Sequence, residues 1–535
     1  MDLQPAVSEL LGRLAPDQRA SATARPGPVL CIAPAGSGKT TTIIARIAWL
    51  IDSGVDPATI AAITFNRRAA SELAERLAEA LEPLNPGAAS VRIQTFHALG
   101  LEIVRDAGGR VGTLADRVAL LGQLLPRASP AEVAALDTEI SRLKVNHGLS
   151  AADVAADPEP GPFGRLFLEY QGYLAANGAL DFDDLILGAL GALDADPACL
   201  ARWRRACGHL LVDEVQDLDR AQLRLALLLA APANRLFLVG DDDQSIYGWR
   251  LADVRRVLTL EDELAGLRQV ALTTNYRCPR PVVVRATRLI SHNRERFAKT
   301  IRAGPGAAGR LVLAPDGSDD DDRIRRAVAS WPDDGGSRAV LARTNQELLP
   351  AAAVAVDQGI AFQAAQLELP LDDPAVGGLL AALDGAAQAQ PDTPPLVLLA
   401  RLRGTSGTDA PVFRAMLGWA PRFLDGATFA SAIRDHQARA ATLRQGQAQL
   451  TLATAHGTKG LEFDHVIVLQ DADRFPSRRA LDEAADPVRA LEEERRLAYV
   501  AWTRARRSLT LLYDPATPSI FLREAFSPAE LSPGR

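Results

Sequence analysis

Short apolar runs that end in small or acidic residues alternate along this chain with longer stretches of helical period. "PVLCIAPAG" (28–36), "HLLVDEVQD" (209–217) and "RLFLVGDDDQ" (235–244) each read as a strand followed by a turn. Between them, Ala/Leu/Arg stretches such as 66–82 and 220–231 repeat apolar residues at helical spacing, and a further helix is predicted over about 40–51. Strands that are apolar throughout and polar only at their ends predict a parallel sheet with a site along its carboxyl edge. The fold class is therefore α/β.

Two stretches interrupt this rhythm. Residues from about 99 to 185 are helical in character, with a Pro/Gly break at "PEPGPFG" (158–164), and read as an inserted subdomain. A second α/β unit begins near 273, with strands predicted at "GRLVLAP" (309–315), "RAVLART" (338–344) and "DHVIVLQ" (464–470). "DGSDDDD" (316–322) is expected to be a solvated loop. Residues 366–446, rich in Ala, Gly and Pro and without a strand pattern, read as a second insertion.

Composition narrows the class. With 535 residues, 47% of them hydrophobic, the chain can bury more than one core. It has no run of about 18 uncharged apolar residues, so no membrane helix is expected. The first residues, "MDLQPAVSELLGRLAP", lack a basic segment before an apolar core, and the expected location is cytoplasmic. The four cysteines include no CxxC pair, which argues against a zinc ribbon or iron–sulfur cluster. A net charge of −7 argues against indiscriminate coating of nucleic acid, but not against a local basic channel. Lysine occurs only at 39, 144, 299 and 459, among 59 basic residues, so each position that keeps lysine has a raised chance of needing it.

The motifs carry the chemistry. "APAGSGKT" (33–40) follows an apolar strand and precedes a helix, as a phosphate-binding loop requires. Ala35, Gly36, Ser37 and Gly38 would present backbone N–H groups, Lys39 would reach the β/γ-phosphates, the Thr40 hydroxyl would bind Mg²⁺, and Thr41 continues the helix whose N-terminus faces the anion. In "LLVDEVQD", Asp213 at the strand end can hold Mg²⁺ and Glu214 can orient and deprotonate a water. A solvated acidic turn is the plainer alternative. In "VGDDDQSIYGWRLAD" (239–253), Gln244 can sense a γ-phosphate, while Tyr247, Trp249 and Arg250 form a platform suited to base stacking. Core packing is the alternative for the aromatics, and their polar neighbours count against it.

With these motifs in order, the chain resembles a superfamily 1 DNA helicase of the UvrD/Rep/PcrA type, over nearly its whole length. "LAPDQRA" (14–20) resembles the Q motif, which implies Gln18 as adenine reader. "ITFNRRAASEL" (63–73) and "TFHALG" (95–100) resemble DNA-contacting segments, implying Thr64, Phe65, Thr95 and His97. "DFDDLI" (181–186) is similar to a signature that ends the first insertion. "TTNYRCPR" (273–280) resembles motif IV, implying Tyr276 against the adenine and Arg277 on the γ-phosphate. "LARTN" (341–345) implies Asn345 toward DNA; "TLATAHGTKGLEFDHVIV" (451–468) implies His456 and Lys459 near DNA or the domain cleft and Glu462 near the ribose; and "EEERRLAYVAWTRAR" (492–506) implies Arg504 on the γ-phosphate.

The resemblance implies two RecA-like P-loop NTPase domains. Domain 1A would span 1–98 and 186–272, insertion 1B 99–185, domain 2A 273–365 and 447–535, and a reduced insertion 2B 366–446. It implies an ATP- and Mg²⁺-dependent translocase or helicase on single-stranded DNA and single/double-strand junctions, moving 3′ to 5′ in repair or replication restart. Hydrolysis would occur in the cleft between the two domains. The short second insertion, where the family carries a larger one, leaves a second option open: a translocase or nucleotide-sensing subunit that works with a protein partner such as a nuclease or repair factor. A catalytically dead DNA-binding scaffold conflicts with the intact Lys39, Asp213 and Glu214, and RNA as substrate is not excluded by the motifs.

Overall fold

The computed structural model describes residues 4–81, 90–109, 111–403 and 411–532. Its contacts divide the chain into two compact units: Met1–Arg277 with Ile290–Gly306, and Cys278–Leu289 with Ala307–Arg535.

The first unit is built on six parallel strands: β1 (Val29–Ile32), β2 (Ile60–Thr64), β3 (Arg92–Thr95), β4 (His209–Val212), β5 (Leu236–Gly240) and β6 (Arg268–Ala271). Their order is β3-β2-β4-β5-β1-β6. Side chains alternate across the sheet. Val29 and Cys31 of β1 therefore join Ile43, Ile47, Leu73 and Leu77 on one face. Leu30 and Ile32 join Ile63, Val212, Leu225 and Leu229 on the other. Two cores, one per face, explain why these strands are apolar without interruption. The helices Lys39–Asp52, Arg67–Leu81 and Arg220–Ala230 lie where the pattern predicted them; Glu82, the last residue of the predicted 66–82 stretch, lies outside the described residues.

A helical insertion follows β3. Its helices Arg117–Leu124, Pro130–Ser141 and Pro162–Ala176 share a small core of Leu121, Ile140, Phe167, Tyr170 and Leu174. The helix Phe96–Asp106, just before it, packs instead into the core of the main sheet through Phe96, Leu99 and Ile103. Beneath the small core lies an ion cluster. Asp181 is 1% exposed and accepts from Arg117 Nη2 (2.9 Å), Lys144 Nζ (2.8 Å), the Tyr170 hydroxyl (2.8 Å) and the Asp184 N–H (2.9 Å). Burial pushes its pKa up, but Lys144 and Arg117 more than reverse this and hold it at about 2. The "DFDDLI" signature thus anchors the end of the insertion by charge pairing.

After β6 the chain forms β7 (Thr274–Asn275), which pairs in parallel with β8 (Arg302–Ala303), also in the first unit. The second unit has its own parallel sheet: β9 (Arg310–Pro315), β10 (Arg338–Ala342), β11 (Phe362–Gln363), β12 (Leu450–Thr454), β13 (Phe463–Leu469) and β14 (Ala505–Tyr513), in the order β11-β12-β10-β13-β14-β9. Between β11 and β12, the helices Ala375–Ala389, Pro395–Arg401, Pro411–Trp419 and Gly426–Leu443 enclose a separate core around Leu383, Met416 and Phe429.

One local expectation fails. Only the start of "DGSDDDD" is a loop; Asp319 caps the helix Asp320–Ala329 by accepting from the Asp322 N–H (2.9 Å). Carboxylates at a helix N-terminus meet unpaired N–H groups and a favourable dipole, so the acidic run starts a helix. Among the described residues, no helix is long and apolar enough to cross a membrane.

Candidate active site

The strand order places β4, β5 and β1 side by side, so the loops that leave their carboxyl ends are neighbours. The loop after β1 turns through Gly36 (φ 68°) and Gly38 (φ 83°), both in the left-handed region that favours glycine. Side chains there would also collide. A Cβ on Gly36 would lie 2.7 Å from Arg277 Cβ and 2.9 Å from Asn275 Oδ1, and one on Gly38 would lie 2.6 Å from Gln18 Nε2. Gly38 then caps the helix that begins at Lys39 and carries Thr40 and Thr41. The Ala35 N–H donates to Asp241 Oδ2 (3.0 Å), and Ser37 closes the turn by donating to the Pro34 carbonyl (3.0 Å).

The loop after β4 supplies the acids. Glu214 lies in the left-handed region at φ 53°, unusual for a residue with a side chain. This sharp turn sets its carboxylate 3.4 Å from Lys39 Nζ. Gln216 Nε2 donates to Glu214 Oε2 (2.5 Å), and Gln216 Oε1 accepts from the Asp241 N–H (3.0 Å), which ties the β4 loop to the β5 loop. Asp213 directly follows β4, and its Oδ1 accepts from the Glu214 N–H (2.9 Å). Among the described residues no cluster of three or more His, Cys, Asp or Glu is placed to hold a metal by itself. Mg²⁺ takes one or two protein oxygens and completes its shell with phosphates and water. Thr40 and Asp213 are hard oxygen donors of the right kind.

Gln244, after β5, is buried and donates from Nε2 to Asp241 Oδ2 (2.7 Å). A carboxylate only accepts, so the amide nitrogen must face Asp241 and the amide oxygen must point away. Further along the same loop, Tyr247 stacks on Phe65 with ring centroids 4.9 Å apart and planes 14° from parallel. Trp249 meets Tyr247 edge-on at 6.2 Å and is 56% exposed, with Arg250 5.1 Å from its ring. One loop therefore runs from the phosphate-loop contact to an open aromatic surface.

Two more segments meet the phosphate loop. Gln18 is buried, donates to the Ser37 carbonyl (2.8 Å) and accepts from the Ala15 N–H (3.1 Å). The Tyr276 N–H donates to the Gly36 carbonyl (2.8 Å), while the Tyr276 ring is half exposed. Asn275 is 1% exposed; its Nδ2 donates to the Ala35 carbonyl (2.8 Å) and its Oδ1 accepts from the Arg277 N–H (2.9 Å). Asn275, Tyr276 and Arg277 belong to the first unit, whereas the sequence reading began the second domain at 273.

The remaining DNA-facing candidates are placed unevenly. Thr64 is buried at the end of β2 and donates to the Asn66 carbonyl (3.1 Å). Thr95 caps the helix Phe96–Asp106 by accepting from the Ala98 N–H (3.3 Å). His97 packs edge-on against the half-exposed Phe182 at 5.4 Å, and burial lowers its pKa. In the second unit, Asn345 is exposed and donates to the Gln366 carbonyl (2.9 Å). His456 is held neutral, its pKa lowered to about 4 by burial and then by Arg343 and Lys459. Glu462 accepts from Arg506 Nε (2.9 Å). Arg504 is fully buried and donates from Nε to the Val500 carbonyl (2.9 Å) and from Nη1 to the Leu461 carbonyl (3.0 Å).

Sequence reasoning missed the connecting residues: Gln216, Asp241, Asn275 and the exposed Phe182. All four lie inside quoted motifs, so their position was visible but their contacts were not. Asn275 shows through two backbone partners, one of them 240 positions away.

Comparison with known proteins agrees with this geometry. Residues 14–265 match the family model described as the UvrD/REP helicase N-terminal domain, and residues 427–515 match the UvrD-like helicase C-terminal domain; together these cover more than half of the chain. The ATP-dependent DNA helicase Rep of Escherichia coli (strain K12) is 34% identical over 328 residues, which are 58% of this chain and 48% of that protein. The ATP-dependent DNA helicase PcrA of Bacillus subtilis (strain 168) is 32% identical over 314 residues, 55% of this chain and 41% of that protein. PcrA of Leuconostoc citreum is 35% identical over 303 residues, 54% and 40%. The chain thus matches less than half the length of these relatives.

Proposed function

The chain belongs to the UvrD/REP helicase family, and from that premise we propose that it is an ATP-dependent translocase and helicase acting on single-stranded DNA. One observation carries the reading. The loop 240–250 begins at Asp241, which accepts from the phosphate-loop amide of Ala35 and from Gln244, and ends at the Phe65–Tyr247–Trp249 ladder with Arg250 beside it. A change at the nucleotide phosphate has a seven-residue route to a surface that stacks bases, and such stacking is worth about 1–3 kcal/mol per base.

In this reading the nucleotide phosphates lie against the turn at Gly36 and Gly38 and the N-terminus of the helix that begins at Lys39, the Ala35 and Ser37 N–H groups being held by Asp241 and the Pro34 carbonyl, with Lys39 drawn from Glu214 to the γ-phosphate. Thr40 and Asp213 would hold Mg²⁺, which would supply charge neutralisation on the phosphates. Glu214 accepts the proton of the attacking water, and the Gln244 amide oxygen orients it. Arg277, held beside Gly36, stabilises charge on the transferring phosphoryl group, and the family resemblance assigns Arg504 the same task. Arginines in this role accelerate transfer by about 10³–10⁵, or about 4–7 kcal/mol of barrier. Gln18 and Tyr276 are assigned to the adenine and Glu462 to the ribose. Phe65, Tyr247, Trp249 and Arg250 grip bases, with Thr64, Thr95, His97, Asn345 and His456 as further candidates along the strand. Movement is 3′ to 5′ by the same resemblance.

A second reading rests on the four-helix insertion between β11 and β12, small for a duplex-contacting domain. In it, the protein translocates but separates strands only with a protein partner. The test is ATP hydrolysis with and without single-stranded DNA, then unwinding of 3′- and 5′-tailed duplexes, for wild type and Lys39→Ala. DNA-stimulated hydrolysis with unwinding, both lost in the variant, supports the helicase. Stimulation without unwinding favours the partner-dependent form, and hydrolysis indifferent to DNA overturns both.

A further inference from the structure

Lys299 lies outside every motif, in a chain that uses arginine for nearly all its positive charge. Its side chain is fully buried. The ammonium donates to Asp241 Oδ1 (2.7 Å) and Asp242 Oδ1, and pairs with Asp243 Oδ2 (2.9 Å). Three N–H bonds thus meet three carboxylates from consecutive residues of the β5 loop. A tetrahedral ammonium can serve three converging acceptors, whereas a planar guanidinium serves acceptors in its own plane. Arg296 covers the far side, donating from Nε and Nη2 to the two oxygens of Asp243 (2.9 and 2.7 Å), and the Phe297 N–H donates to Asp242 Oδ2 (2.9 Å).

The segment that carries these residues follows an unusual path. The chain enters the second unit at Cys278, returns to the first at Ile290 and leaves it after Gly306. The same return segment contains β8, and its Arg302 and Gly304 N–H groups donate to the carbonyls of Thr273 and Asn275 (both 2.8 Å). It therefore braces two loops that touch the phosphate loop.

We propose that Lys299 is a positioning residue for ATP hydrolysis, acting through Asp241 on Gln244 and on the Ala35 amide. The inference rests on the nucleotide-hydrolysis reading above. Asp241 divides its two oxygens. Oδ1 faces Lys299, while Oδ2 accepts from both the Ala35 N–H and Gln244 Nε2. That second oxygen fixes which end of the Gln244 amide points toward the reaction. Burial alone would drive protons onto three adjacent carboxylates, and Asp242 is already raised to about 6 by burial with its acidic neighbours opposing Lys299. Burial likewise opposes the charge on Lys299, and the three carboxylates outweigh it and raise its pKa. Remove the ammonium, and the Asp241 carboxylate loses the charged partner that holds its Oδ1, so that Oδ2 no longer fixes Gln244 and the Ala35 amide in place.

The experiment compares wild type with Lys299→Met, Lys299→Arg and the double variant Lys299→Met/Asp242→Asn, reading kcat and KM for ATP without DNA and the unfolding transition. The double variant removes one buried cation together with one buried carboxylate. It restores the charge balance of the cluster but leaves Asp241 without its ammonium. We expect Lys299→Met to lower kcat at least 30-fold with KM within 3-fold of wild type, Lys299→Arg to stay below a tenth of wild-type kcat, and the double variant to regain the unfolding midpoint but not kcat. Recovery of kcat in the double variant, or a loss carried by KM alone, overturns positioning and leaves a structural anchor. Should Lys299→Met not fold, the double variant decides by the same criterion. Wild type active with all variants equal to it overturns the Lys299 inference only; wild type without ATP hydrolysis overturns it together with the functional reading.

Discussion

Replacing Asn275 with alanine removes a side chain that joins the phosphate loop to the Arg277 backbone. Two groups lose a partner: the buried Ala35 carbonyl at 2.8 Å and the half-buried Arg277 N–H at 2.9 Å. A buried backbone group left unpaired costs about 1–3 kcal/mol, and the Tyr276 N–H bond to Gly36 keeps the segment attached, so the first unit should lose about 2–4 kcal/mol and still fold. Catalysis should suffer more than binding. A catalytic group displaced by about 1 Å costs on the order of 10²-fold, and kcat should fall by about that factor while KM for ATP moves little. Asn275→Asp adds a direction. An ionised carboxylate cannot donate to the Ala35 carbonyl, so this variant should resemble Asn275→Ala at pH 8. As pH falls, the buried acid protonates; its O–H then donates to Ala35 while its other oxygen accepts from Arg277. The activity of Asn275→Asp relative to wild type should therefore rise between pH 8 and 6. The assays are steady-state ATP hydrolysis across that range and hydrogen-exchange protection of β1 amides in urea, which reports on the first unit alone. A fall in kcat below 3-fold with unchanged β1 protection, or a flat ratio for Asn275→Asp, would refute the reasoning.

Trp249→Ala should weaken single-stranded DNA binding by about 5- to 150-fold, the equivalent of about 1–3 kcal/mol of stacking; fluorescence anisotropy with a labelled oligonucleotide measures it, and unchanged affinity means that the ring does not stack. Asp181→Asn strips the buried carboxylate from Arg117 and Lys144, at a cost of about 3–5 kcal/mol, so limited proteolysis should cut the helical insertion first; protection equal to wild type would count against the ion cluster as its anchor. His209 opens β4, is buried, and has its pKa lowered to about 4 by burial and then by Arg235 and Arg46. The unfolded state takes up this proton first, so the stability is complete above about pH 6.5 and is lost as pH falls toward 4, amounting to about 1–2 kcal/mol at pH 5. Denaturant unfolding of His209→Asn should show a difference between pH 7 and pH 5 that is smaller by that amount, and an identical difference would dismiss His209 as its source.

What the sequence made legible is local chemistry. The glycines around Lys39, the acids after β4 and the aromatics after β5 are spaced by a few residues, because a strand end and the turn behind it form one short object. The long helices were legible for the same reason: their period lies within one stretch of chain. What stayed hidden depends on distant pairing. Lys299 meets Asp241 across 58 positions and Asn275 meets Ala35 across 240, and neither pair leaves a periodic trace. Strands β2, β3 and β12 went unread as strands although parts of them were quoted as motifs, since their polar ends draw attention to chemistry rather than to pairing. The acidic run at 316–322 misled because its charge suggested solvent, while its position at a helix start gave those charges unpaired N–H groups to face.

None of the four lysines lies open on the surface. Lys299 is fully enclosed, Lys144 is 4% exposed, Lys39 is 14% exposed in the phosphate loop, and Lys459 is only partly accessible. The cationic coat of the protein is guanidinium, which reagents that acylate amines leave untouched. Apart from the α-amine of the chain, the amines open to a mild acylating agent are therefore those of Lys39 and Lys459. The rate of acylation at Lys39 would report occupancy of the nucleotide loop, with ATP as the shield, and would turn a bias of composition into a built-in chemical footprint of the site.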